Sequence, residues 1–341
     1  MTPVAYRYQG FLIYFEAQGQ GVGLPFTVHS STFTRANAMG FFVEVLLGGL
    51  LAGVLYSLVA LGFVLIFKAS GVFNFAQGAM VLFAALTLVR LTDMLKHTFS
   101  PLLIALALTV LIMIVLALLI ERAVLRPLVN QPGISLFMAT LGISYVLDGF
   151  GQAVWGSDIY TLDIGIPKRS IVLFESLFQG GVLVPSEDLV AALIAGLLVA
   201  GLGLFFQKTR IGRALRAVAD DHQAAQSVGI PLNYIWVIVW TVAGLVALVA
   251  GMVWGSKLGV QFSLSLVALK ALPVLILGGF ESILGAVVGG LIIGAGEKLS
   301  EVYLGPMVGG GIENWFAYVL ALFFLLFRPE GLFGEKHIDR V

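Results

Sequence analysis

Four cations fall within nine positions in Lys208-Thr209-Arg210-Ile211-Gly212-Arg213-Ala214-Leu215-Arg216, although charged residues make up only 11% of the chain. Flanked by long uncharged runs, this island presents positive charge and hydrogen-bond donors to a partner. Other polar groups lie inside the apolar runs. Asn74 and Gln77 are three apart and share a helix face. Their amides suit a zwitterionic or amide solute, and equally suit gluing two helices together. Asp148, Lys270, Glu281 and Glu297 are ionisable groups in apolar surroundings, where such residues face a cavity or the bundle interior. Lys270 also has the reach to snorkel to an interface. His29, His97, His222 and His337 are scattered and make no metal-spaced pair. There is no G-x-x-x-x-G-K-[ST] phosphate loop, and with no cysteine there is no disulfide framework, thiol nucleophile or thiolate metal site.

What must position these groups is a membrane bundle. Mean hydropathy is +1.02 and hydrophobic residues reach 59%, well outside the soluble range. The formal net charge is zero, so no nucleic-acid partner is expected. The 41 glycines allow helices to approach closely in lipid. The expected fold is all-α, a polytopic bundle of about eight to ten spans. Nine are placed at roughly 43–67, 72–92, 101–120, 134–155, 188–207, 235–255, 264–280, 283–303 and 313–327. Residues 39–341 read as one transmembrane domain. Residues 1–38 carry no secretory signal and no sustained period, and are expected to form a flexible tail. Met39 directly precedes the first apolar run, so a mis-assigned start codon is one explanation for that tail.

Nine crossings put the termini on opposite sides. Lys68, Arg122, Arg126, the island, Arg328, Lys336 and Arg340 fall on one side; Arg7, Arg35, Arg90, Lys96, Lys168, Arg169 and Lys257 fall on the other. The richer side is taken as the cytoplasm, which places the N-terminus outside and the C-terminus inside. The acidic loop 156–187 is then external, with Ile171 to Leu177 expected along the membrane surface. Short or broken helices are expected near 68–74, at Gly71, and near 273–283, at Pro273, Gly278 and Gly279. The two breaks occupy corresponding positions in the two halves, which hints at an internal repeat.

Within 208–233, Ile211, Leu215, Val218 and Ala225 form an apolar stripe, while Arg210, Arg213, Arg216, Asp220 and Asp221 take the other face. Gly229 and Pro231 stop the helix. Gln223-Ala224-Ala225-Gln226-Ser227-Val228-Gly229 offers small side chains over which a partner surface can approach. The positive-inside bias accounts for the charge of this loop but not for its amphipathic helix.

This run resembles the coupling loop of binding-protein-dependent ABC permeases, with Gln223 in place of that motif's glutamate. Four further stretches resemble the permeases of branched-chain (hydrophobic) amino-acid ABC uptake systems. They are Phe73-Asn74-Phe75-Ala76-Gln77-Gly78, Arg126-Pro127-Leu128, Lys270-Ala271 with Leu277 through Ala286, and Arg328-Pro329-Glu330-Gly331-Leu332-Phe333-Gly334. The chain departs from the family pattern at Gln77, Ala79 and Phe280-Glu281. The resemblance therefore leaves open branched-chain amino acids, related amides, urea and aromatic acids as solutes. It implies an inner-membrane subunit pairing with a second, related permease, two cytoplasmic ATPases and a periplasmic binding protein. ATP would be bound by the partners, with no cofactor on this chain. Arg210, Gly212, Arg213, Arg216, Gln223, Ala224, Ala225 and Gly229 would form the ATPase contact, and Asn74, Gln77 and Lys270 are path candidates. The alternative is an ion-coupled carrier working alone, with Asp148, Lys270 and Glu297 at a proton or sodium site.

Overall fold

The computed structural model describes residues 4–8, 11–15, 35–128, 131–178, 181–220 and 222–334. A hairpin of β1 (Val4–Tyr8) and β2 (Phe11–Phe15) lies within the segment read as a tail. The helices follow: α1 (Arg35–Ser70), α2 (Gln77–Met94), α3 (Pro101–Ile120) and α4 (Gly133–Trp155). A second hairpin, β3 (Ser170–Leu173) with β4 (Val182–Pro185), precedes α5 (Ser186–Lys208), α6 (Arg210–Asp220) and α7 (His222–Ser227). The chain continues through α8 (Leu232–Leu258), α9 (Val267–Gly278), α10 (Ile283–Tyr303), α11 (Gly305–Val308) and α12 (Phe316–Phe327). Seven helices, α1 to α5, α8 and α10, are long and apolar enough to cross a membrane. The other two expected crossings are shorter apolar helices, Phe262–Gly278 and Phe316–Phe327. The all-α bundle is therefore as expected. The chain is a multi-pass membrane protein.

At 36 residues α1 is ~54 Å long, well beyond a ~30 Å hydrocarbon core. It forms the spine against which α5, α8, α9 and α10 pack. The closest approach is to α10, where two small-xxx-small faces meet. A Cβ on Gly53 would lie 2.4 Å from the Gly290 carbonyl oxygen, and one on Gly294 would lie 2.4 Å from that of Gly49. Without a hydrophobic drive between helices in lipid, such backbone-to-backbone packing supplies the association. The central part of α1 and the first four turns of α2 are almost entirely buried.

The seventh crossing departs from expectation at one residue. Helix α9 runs through Pro273 without interruption, so Pro273 is not the break. Proline lacks the N–H that would bond to the carbonyl of Leu269. The Tyr318 hydroxyl of α12 donates to that oxygen at 2.8 Å, which satisfies the freed group in the membrane. The break comes later, at Gly279, whose φ is +102°, before Ser282 caps α10 by accepting from the Gly285 N–H at 2.9 Å.

At the other end of the bundle, Ile171 to Leu173 belongs to β3 and pairs with Val182 to Val184, so it forms a hairpin. The loop is tied down by Leu183 N–H donating to Glu44 at 3.2 Å and by an Asp188–Lys257 ion pair.

Candidate functional site

The motif stretches read separately from the sequence converge at one end of the bundle. Lys68, at the end of α1, donates to the carbonyl of Glu281 in the break between α9 and α10, at 3.3 Å. Phe280 in the same break contacts the rings of Phe67 and Phe73, with centroids 5.4 and 6.3 Å apart. The Arg328–Gly334 stretch folds back on the end of α9. Leu332 N–H donates to Leu277 C=O at 2.8 Å and Phe333 N–H to Gly278 C=O at 3.1 Å, which satisfies carbonyls that a helix end leaves open. The fit is close enough that a Cβ on Gly279 would lie 2.8 Å from the Gly334 nitrogen. Gly278 and Gly285 cross at similarly short range, so Gly278 serves close packing. Gly71 ends α1 with φ +67°. Arg126 holds the buried Glu121 through two bonds of 3.1 and 3.2 Å beside the end of α3.

The basic island lies at this same end. Thr209 caps α6 by accepting from Gly212 N–H at 3.1 Å. Gly212, Leu215 and Val218 are buried at a spacing of three, so the apolar stripe packs on the bundle as its periodicity demands. Gly212 is needed for contact: a Cβ there would lie 1.9 Å from the Phe206 carbonyl oxygen. Two of the cations cap α5. Arg216 donates to Phe206 C=O at 2.6 Å and to Gln207 C=O at 3.5 Å, and Arg213 reaches Lys208 C=O at 3.5 Å. Arg210 is exposed.

The amphipathic segment is two helices, not one. After α6 comes α7, which carries Gln223, Ala224 and Ala225; Asp221 and the side chain of Gln223 lie outside the described residues. Ala225 is buried, whereas Ala224, Gln226, Ser227 and Val228 are exposed. The stop has a specific geometry. Ile230 N–H donates to Ala225 C=O and Gly229 N–H to Gln226 C=O, both at 3.0 Å, with Gly229 at φ +86°. This is a Schellman motif, whose left-handed residue is strongly favoured as glycine. A groove of ≈ 210 Å³ runs beside the island, lined by Lys68, Gln207, Gly212, Arg216, Glu281 and Phe333 among others.

The polar residues within the membrane fall into separate groups. Asn74 and Gln77 are fully buried. Asn74 donates to Gln77 Oε1 at 3.3 Å and accepts from Ala76 N–H at 3.1 Å, while Gln77 donates to Ala243 C=O of α8 at 3.4 Å. The amides tie the start of α2 to α8, with Gln77 packed against Gly62 of α1. Lys270 of α9 is paired with the buried Glu297 of α10 and also donates to Glu313 C=O at 3.3 Å. Tyr56 of α1 donates to Glu297 at 3.3 Å, and Lys298 pairs with Glu313 at 3.1 Å. Lys270 is thus part of a network joining α1, α9, α10 and the Ile312–Asn314 turn before α12. Asp148 bonds to neither member of that pair, so the three charges do not assemble into one site; its buried Oδ1 has no hydrogen-bond partner. Among the described residues no group of three or more His, Cys, Asp or Glu could hold a metal ion.

A bundle of apolar crossings, with glycine breaks and an amphipathic loop gathered at one end, is the architecture of a polytopic membrane permease. A family model described as "Branched-chain amino acid transport system / permease component" matches residues 45–328, and the chain belongs to that family. The chain is 27% identical over 308 residues to the high-affinity branched-chain amino acid transport system permease protein BraD of Pseudomonas aeruginosa, covering 88% of this chain and 98% of the relative. It is 30% identical to a probable branched-chain amino acid transport permease protein LivH of Methanocaldococcus jannaschii, over 85% and 92% of the two chains. PsaBC from Streptococcus pneumoniae, solved in complex with Fab, is similar at a TM-score of 0.42 and 15% identity, over 84% of this chain and 94% of that one. This protein is a permease subunit of an ABC transport system.

Proposed function

We propose that this chain is the membrane permease of a binding-protein-dependent ABC importer that carries branched-chain or other hydrophobic amino acids inward across the inner membrane. It would pair with a second, related permease. ATP would be bound and hydrolysed by two cytoplasmic subunits, and solute would be delivered from outside by a binding protein. The named solute class of the relatives supports this reading. The loop 208–233 is the contact with the ATPase, on the cytoplasmic side, with the N-terminus outside and the C-terminus inside.

The observation that carries the proposal is the two-sided construction of α6 and α7. One side buries Gly212, Leu215, Val218 and Ala225 against the bundle; the other offers Arg210, Ala224, Val228 and Gly229 to a partner. A charge bias alone would not require a buried stripe or a glycine-stopped helix. ATPase closure would pull this loop. Through Arg216 and Lys68 the pull would reach the end of α5 and the α9–α10 break. The permeases would then rock between outward- and inward-open states.

The test is ATP-driven leucine uptake in proteoliposomes holding the full complex. Arg213→Glu or Gly229→Val should leave hydrolysis running while uptake falls at least tenfold. Coupling unchanged in both variants would count decisively against the docking assignment. Labelling of Val228→Cys only from the periplasmic side would do the same.

A further inference from the structure

A cavity of ≈ 330 Å³ lies between α2, α4 and α9; Phe73 of its lining touches Phe280 of the α9–α10 break, while none of the Lys270–Glu297 pair lines it. One wall is aromatic. Phe63, Phe73 and Phe75 form a continuous set, with centroids 4.6 Å apart in both contacts. The facing wall is α4, where Ser144, Tyr145 and Asp148 share the helix face that lines the space. The buried Oδ1 of Asp148 accepts no hydrogen bond from any residue described. A carboxylate in an apolar span faces a cavity or a partner, because lipid exposure is too costly. The third element is the first turn of α2, where Gly78 and Ala79 line the cavity.

That turn begins where the backbone is not helical. Between Gly71 and Ala76 the chain is unwound, while Gln77 is already level with Gly62 and Ala243, well inside α1 and α8. Non-helical backbone at membrane depth survives where protein covers it or where it lines a cavity, and here it does both. A helix that starts inside the bilayer directs its positive end into the space before it. The cavity thus combines one unpaired anion, one positive helix end and a wall of aromatic faces. Its volume lies at the lower end of the ~300–1,000 Å³ range of small-molecule sites.

Resting on the importer reading above, we propose that this cavity is a transit site for the solute itself, which binds as a zwitterion with its ammonium on Asp148. The first turn of α2 takes the carboxylate, and Phe63, Phe73 and Phe75 take the apolar side chain and face the cation. The site selects for a free amine: an amide, urea or amine-free carboxylate leaves the Asp148 charge without its partner. Asn74 and Gln77 act behind it, holding the start of α2 in place.

The absence of cysteine makes the test direct. Ser144→Cys puts a single thiol of this chain on the cavity wall. In the full complex with its binding protein and ATP, labelling of that thiol by a small methanethiosulfonate reagent is followed on this subunit. L-leucine should slow labelling at least fivefold, and the protection should vanish in Ser144→Cys/Asp148→Asn. Failure of the wild-type complex to take up leucine at all would sink the importer reading instead. If wild type transports leucine, three results overturn the transit site. They are a thiol that reacts but is not protected, a thiol that never reacts, and protection that survives Asp148→Asn. Loss of the second permease from purified Asp148→Asn complexes would also overturn it, by making Asp148 an interface residue paired across the dimer.

Discussion

Lys270→Met should destabilise the protein, and the size of the loss follows from what the lysine leaves behind. Glu297 is 2% exposed on its side chain and has two sources of support, Lys270 and the Tyr56 hydroxyl at 3.3 Å, while its Oε2 has no partner among the described residues. Removing one member of a buried pair typically costs about 3–5 kcal/mol, because the other charge is stranded. Lys270 is itself a third exposed and the Tyr56 bond survives, so the expected loss is nearer the lower end, about 3 kcal/mol. At about 2–4 °C per kcal/mol for a large domain, the thermal midpoint in detergent should fall by ~6–12 °C. Lys270→Met/Glu297→Leu replaces the pair with apolar side chains of similar volume. It should recover to within about 1 kcal/mol of the wild type, because the burial cost of both charges disappears together. The double variant also separates two roles. If Lys270 only joins α9 to α10, uptake returns along with stability; if it lines the path, stability returns and uptake does not. A Lys270→Met protein as heat-stable as wild type, or a double variant no better than the single one, would refute the reasoning.

Tyr318→Phe leaves the Leu269 carbonyl without a partner in the membrane and should cost about 1–3 kcal/mol in detergent unfolding. In a Pro273→Ala background the helix supplies its own N–H to that oxygen, so the same change should cost well under half as much; equal costs in both backgrounds would disprove the assignment. The island cations should divide by partner. Arg216→Gln, which uncaps α5, should lower stability by about 1 kcal/mol at any ionic strength, the bonds being partly exposed. Arg210→Glu should leave the thermal midpoint alone but weaken co-purification of the ATPase in a salt-dependent way. A reversed pattern would show that the cations had been assigned to the wrong jobs.

How much was legible in the sequence depends on how local the signal is. The crossings could be read because ~20 apolar residues are a contiguous requirement. So could the glycine stops, since Gly71, Gly229 and Gly279 each adopt a positive φ that the local chain must accommodate. The spacing of Gly212, Leu215 and Val218 showed which face of α6 is buried. Pairings between distant segments were not legible. Tyr56 and Glu297 lie 241 positions apart, and nothing near either one names the other. The facing Gly49/Gly53 and Gly290/Gly294 steps were visible only as a high glycine content, because a four-residue spacing does not say which helix it meets. Pro273 misled for a related reason. The sequence shows the lost N–H, but the Tyr318 hydroxyl that makes the loss tolerable arrives from another helix.

The breaks and the island share one end of the bundle and line a common groove there. A helix end in the membrane has up to four open carbonyls, and these must find donors somewhere. Here α9 takes them from the Arg328–Gly334 stretch, α5 takes them from the island arginines, and the break after α9 takes one from Lys68. On the importer reading proposed above, a cytoplasmic partner would move the island, whereas Lys68 ends the spine helix α1. Displacing the loop would exchange the hydrogen bonds that Arg216 and Arg213 make at the end of α5 rather than bend its interior. Gly71 and Gly279, both at positive φ, would absorb the change in backbone angle. The middle of the bundle is built the opposite way: α1 and α10 touch backbone to backbone at Gly53 and Gly290, with no slack to yield. On the proposed coupling, a rigid centre with exchangeable ends would convert a pull at the loop into rocking of whole helices, the motion that opening the proposed transit cavity beside α2 and α4 would require.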